Sequence, residues 1–129
     1  GISNEPSEEH IENLKLLCTH VLQKVRDQFG IVSISSGYRS PELCEALGSK
    51  STSQHARGQA ADFECYGVDN NELFNWVISN VEFDQAILEF YDGSPESGWL
   101  HVSYNEDNNR GETLRAYRNE NNKVVYEKI

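Results

Sequence analysis

The chain has 129 residues, 37% apolar and 25% charged, with a formal net charge of −10. That length and balance fit one globular domain spanning 1–129, and no apolar run nears the ~20 residues that span a bilayer. The acidic balance argues against nucleic acid and against an anionic membrane surface, both of which call for clustered Lys and Arg. Cys18, Cys44 and Cys65 are odd in number and form no CxxC pair. They are expected as free, buried or half-buried thiols, with one disulfide plus one free thiol as the alternative.

The opening residues GISNEPSEEH lack the basic and apolar regions of a signal peptide, so none is expected within them. Residues 7–29 predict one helix: Ile11, Leu14, Leu17, Cys18, Val21, Leu22, Val25 and Phe29 recur at helical spacing. Ser7, Glu8 and Glu9 form its N-terminus and Gly30 ends it. IVSIS (31–35) alternates as a strand, and 41–47 predict a short helix with Pro41 in its first turn. Residues 48–59 are Gly/Ser-rich and read as a loop, followed by a strand at 60–65 and a helix over 70–79. Strands are expected at 84–91 and 99–104, joined by DGSPESG, and a hairpin at 113–118 and 123–127. The sum is α+β: a small antiparallel sheet with helices packed on it.

The chemistry gathers around two histidines. His55 sits in SQHARGQAADF, after the loop and before a strand, and Asp62 follows within that strand among apolar neighbours. A buried carboxylate needs a compensating partner, and a cation is one. His101 lies in the 99–104 strand. Two imidazoles and a carboxylate form a standard ligand set for catalytic zinc, whose fourth position stays open for water. His10 and His20, on an early helix, are given no role.

Pairing 84–91 with 99–104 around Pro95 sets Glu89 opposite His101. Ile87, Glu89 and Tyr91 then share one face with Trp99, His101 and Ser103, while Leu88, Phe90, Leu100 and Val102 face the core. Glu89 suits a general base beside a metal-activated water. Glu96, in the turn, competes for that role. Arg39, in SSGYRSP, suits a clamp on a substrate carboxylate or on a scissile carbonyl.

Taken together, SGYRSP (36–41), SQHARGQAADF (53–63), FDQAILEF (83–90) and GWLHVSY (98–104) resemble the zinc D-alanyl-D-alanine carboxypeptidase family of peptidoglycan peptidases. Its metal-site fold is shared with the amino-terminal signalling domain of hedgehog proteins. The resemblance covers roughly the middle half of the chain. The S-x-H-x-x-G-x-A-x-D core falls on Ser53, His55, Gly58, Ala60 and Asp62.

The resemblance implies one Zn2+ held by His55, Asp62 and His101, with the family arginine at Arg39. Ser53, Gln54 and Trp99 are expected to contact substrate. Many relatives carry an acidic residue three positions before the last histidine and a Trp directly before it; here those positions hold Gly98 and Leu100. The W-x-H-V-S variant implies the upstream strand glutamate, Glu89, as base. Glu96, Asp92 or no base at all are the other readings.

The expected activity is hydrolysis of peptidoglycan stem peptides at a D-Ala-D-Ala or L-Ala-D-Glu bond. The expected agent is a monomeric phage lysin or a free bacterial enzyme at the cell wall, periplasmic, extracellular or phage-delivered. The alternative is a non-catalytic zinc-containing binding or structural domain of the same fold.

Overall fold

The computed structural model describes residues 4–47 and 53–129. Gly1 and the first five residues of the expected 48–59 loop lie outside the described residues.

The first helical stretch begins where Ser7 accepts a hydrogen bond from the His10 N–H, with Glu8 and Glu9 at the positive end of the helix dipole. Helix α1 (Glu8–Leu17) runs into a π turn (Cys18–Leu22) and then into α2 (Gln23–Phe29). The expected unbroken helix is thus interrupted by one wide turn. Leu17, Val21 and Val25 are each four residues apart and all buried. On a 3.6-residue helix that spacing drifts around the axis, and the wider turn brings it back to one face. Gly30 caps α2 at φ 92°, with its N–H on the Arg26 carbonyl.

The strands are β1 (Val32–Ser36), β2 (Ala60–Cys65), β3 (Gln85–Glu89), β4 (Trp99–Ser103), β5 (Glu112–Arg118) and β6 (Val124–Lys128). Between them lie helix α3 (Pro41–Ala46), a 3-10 turn (Gln54–Arg57) inside the expected loop, and helix α4 (Asn70–Asn80). One sheet of order β1-β2-β4-β3-β5-β6 results. Among the described residues its pairs are antiparallel except β3–β5, which is parallel. The α+β class is as expected, with this parallel pair added.

Period-two alternation divides the sheet into two faces. Ala61, Phe63, Leu88, Leu100 and Val102 pack with Leu17, Val21, Val25, Leu73, Phe74 and Val77 in the main core. Asp62, Glu89 and His101 belong to the other face, where Ile87, Leu114 and Ala116 form a second, small apolar cluster.

Two expectations about β3 and β4 are corrected. Glu89 pairs with Trp99, and His101 pairs with Ile87, a two-residue shift from the inferred register. Because the shift is even, Glu89 and His101 keep a common face. Phe90 does not join the core. Its φ of 58° breaks the alternation, so its ring sits 5.4 Å from the Trp99 ring while Tyr91 packs on the core.

The cysteines are free, as expected, but Cys18 is exposed while Cys44 and Cys65 are buried. His10 bonds through Nδ1 with the Tyr38 hydroxyl at 3.0 Å, and His20 stacks on Tyr104 at 4.7 Å.

Candidate metal centre and cleft

The 3-10 turn holding His55 is fixed at both ends. The Ser53 hydroxyl accepts the His55 N–H at 3.2 Å, and Gly58 closes the turn in the left-handed region at φ 73°. A Cβ at Gly58 would collide with the His10 carbonyl, so the turn is pressed against α1. His55 is buried, and its Nδ1 lies 2.8 Å from the Gly37 carbonyl oxygen. A carbonyl only accepts, so Nδ1 carries the proton and Nε2 presents its lone pair. That Nε2 is 3.5 Å from Asp62 Oδ1.

Asp62 and His101 face each other across β2 and β4, with His101 Nδ1 2.9 Å from the same Oδ1. Burial works against the Asp62 charge. The hydrogen bond from His101, with the His55 ring beside it, outweighs that effect and holds the carboxyl well below its usual value.

The donor atoms of His55, Asp62 and His101 all lie within 4.8 Å of one another. A tetrahedral zinc with bonds of roughly 2.0–2.2 Å spaces its ligands about 3.3–3.6 Å apart. The His55–Asp62 spacing already matches, and the His101–Asp62 contact needs to open by about half an ångström. The nitrogen and oxygen donors suit zinc, and the Nδ1–H on the Gly37 carbonyl is the outer contact that orients a ligating imidazole. The residues fit one zinc ion.

His55, Asp62 and His101 open onto a cleft that Arg39, Ser53, Gln54 and Glu89 also line. The Arg39 backbone N–H donates to the His55 carbonyl at 3.1 Å, while its side-chain Nε–H is buried with no hydrogen-bond partner. A buried unpaired guanidinium N–H at a cleft wall is a ready donor for a carboxylate or carbonyl. Burial pushes the Glu89 carboxyl above its usual value. His101 opposes that rise and Asp62 adds to it, with weaker opposition from the Trp99 indole and His55. The Trp99 N–H is buried without closing a hydrogen bond.

Gly98 explains the missing acidic residue near the last histidine. Its φ is 66°, and a Cβ there would run into the Glu89 carbonyl oxygen. No carboxylate side chain fits at that position in this backbone, whereas Glu89 lies on the cleft.

The other expected residues are placed as follows. Gln54 Nε2 donates to Asp84 Oδ2 at 2.8 Å. Trp99 shares the site face of the sheet and packs on Phe90, but is not among the cleft-lining residues. Glu96 is exposed and borders a different pocket, with Glu64 and Tyr66. Asp92 is exposed, and its Oδ1 accepts the Ser94 N–H within the turn.

Ile87, placed by alternation on the face of Glu89, lines the cleft, and three further cleft residues were not anticipated: Gln85, Leu114 and Tyr126. Alternation from Glu89 would have found Gln85. Leu114 and Tyr126 depend on where β5 and β6 dock. Asp84 was missed too. It is buried, takes two bonds from the Arg110 guanidinium at 2.7 and 3.1 Å, and anchors Gln54.

An α+β sheet that brings two imidazoles and a carboxylate to an open cleft, with a glutamate and an arginine beside them, has the groups a zinc metallopeptidase needs. The Peptidase M15 family model matches residues 1–103, and the chain belongs to this family, of the zinc D-Ala-D-Ala carboxypeptidase type. Membership makes it a zinc-dependent metallopeptidase with a peptide substrate, in a family that typically acts on the cell wall. No curated protein matches the chain. The family match ends at Ser103, the last residue of β4, so β5 and β6 lie beyond it. Among the described residues no helix is long and apolar enough to cross a membrane.

Proposed function

We propose that this protein hydrolyses peptide bonds of peptidoglycan stem peptides, at a D-Ala-D-Ala terminus or an L-Ala-D-Glu link. Residues 1–129 act as one monomeric peptidase domain, in a phage lysin or a bacterial enzyme working at the wall. His55, Asp62 and His101 hold one zinc, which when bound supplies Lewis acidity that activates water and polarises a carbonyl.

Glu89 takes the proton of the attacking water and returns it to the leaving amine. Arg39 offers its unpaired Nε–H to the substrate carboxylate or to the developing oxyanion. Ser53 and Gln54 line the wall beside His55, where the peptide backbone would lie, and Trp99 supports the substrate side through its contact with Phe90.

The observation that carries this reading is the convergence of three ligand donors within 4.8 Å in a cleft shared with Glu89 and Arg39. The test is digestion of purified peptidoglycan, with the fragments weighed by mass spectrometry, for wild type and Glu89→Gln. The reading expects defined peptide cleavage that falls ~10²–10⁴-fold in Glu89→Gln while zinc stays bound. Zinc-loaded wild type that leaves every fragment intact points instead to the non-catalytic zinc-containing binding domain.

A further inference from the structure

The strands beyond the family match complete one side of the cleft. Across β3, β5 and β6 the register runs Glu89–Ala116–Tyr126. The neighbouring row runs His101–Ile87–Leu114 across β4, β3 and β5. Ile87 and Leu114 are 5% and 8% exposed and floor the cleft. Between Glu89 and Tyr126 in this row stands Ala116, small and fully buried.

Tyr126 lines that cleft and is still 57% exposed. Its hydroxyl is pushed up by burial and by the Glu89 and Asp62 charges, so ring and site share one field. A large aromatic left half-open above an apolar floor is a surface that an apolar ligand group covers well. The wall across the cleft, with Arg39 and Gln54, is polar.

We infer that Tyr126 is a specificity-determining residue, covering an aliphatic side chain that rests on Ile87 and Leu114 in the peptide residue flanking the scissile bond. This inference builds on the peptidase reading above. A polar side chain in the same place gives up its water against the apolar floor of Ile87 and Leu114, which sets the direction of the preference.

The experiment compares two stem-type peptides that differ only by Ala or Ser at the flanking residue. They are offered to the zinc-loaded full chain as wild type, Tyr126→Ala and Tyr126→Phe. Wild type favours Ala. Tyr126→Ala lowers kcat/KM for the Ala peptide about tenfold, chiefly through KM, and narrows the Ala/Ser ratio. Tyr126→Phe keeps the ratio, because the ring and not the hydroxyl makes the cover. Zinc content stays equal in all three.

An Ala/Ser ratio unchanged in Tyr126→Ala overturns the inference. Should wild type cleave neither peptide, the peptidase reading falls, and calorimetric binding of the same pair decides on Tyr126 separately. A ratio of affinities that shrinks in Tyr126→Ala supports the apolar cover. Equal ratios, or no binding by wild type, overturn it.

Discussion

Asp62 lies in a sheet interior that disfavours charge, yet the His101 hydrogen bond to its Oδ1, with the His55 ring beside it, keeps it ionised. Asp62→Asn preserves shape and removes the anion proposed to bind zinc. We expect zinc content after desalting to drop from stoichiometric to well below it, measured by elemental analysis. Asp84 is the second buried carboxylate. Burial alone would raise it, but the Arg110 guanidinium, the Arg110 backbone N–H and Gln54 hold it below its usual value of 3.8. A carboxyl lowered in the folded state binds protons more readily when unfolded. Its contribution is therefore present above the usual value and is lost as pH falls through the lowered one. Urea unfolding between neutral pH and pH ~3 should show that loss in wild type, and a smaller loss in Asp84→Asn. At Gly98 the positive φ and the crowding by the Glu89 carbonyl act together. Gly98→Ala should cost about 2 kcal/mol or more in urea unfolding, and should lower activity because the displaced backbone is that of Glu89.

Helix α4 shows how an element can serve the cleft from a distance. Asp69 caps it by accepting the Asn71 and Glu72 N–H groups at 2.7 and 3.3 Å, and its other oxygen accepts the Tyr91 hydroxyl at 3.0 Å. Asn70, fully buried, donates to the Ser97 and Gly98 carbonyls and to Glu64. The helix start thus clasps both ends of the β3–β4 turn that presents Glu89. Asp69→Ala should lower stability by ~1–2 kcal/mol in thermal unfolding, since cap and tyrosine contact are lost together. The elements themselves were largely legible. Hydrophobic period and end signals placed the helical rod, the 60–65 strand and the C-terminal hairpin close to where they lie. The π turn and the Phe90 reversal were not, because each lies where segments distant in sequence pack: one where Leu17, Val21 and Val25 meet the sheet, the other where the Gly98 backbone passes close to Glu89 and Phe90.

At the scale of the molecule, the proposed metal site couples to the sheet. Its three residues come from the 3-10 turn, β2 and β4, so an ion bound there would tie together segments distant in sequence. Zinc at 100 times its Kd should add about 2.7 kcal/mol, seen as a raised Tm that chelation reverses.

The parallel docking of β5 on β3 closes the sheet beyond the family-matched residues and brings Leu114 and Tyr126 to the cleft. By itself the sequence determined the α+β class and the peptidase resemblance, and it singled out His55, Asp62 and His101, which the fold brings together, because residue type and motif spacing are local properties. Only the tertiary structure decided the two-residue register between Glu89 and His101, the anchoring of Gln54 by Asp84, and the wall built from β6. Those depend on which strand edges meet, and alternating apolar residues satisfy an even shift or a different neighbour equally well until the whole core is packed.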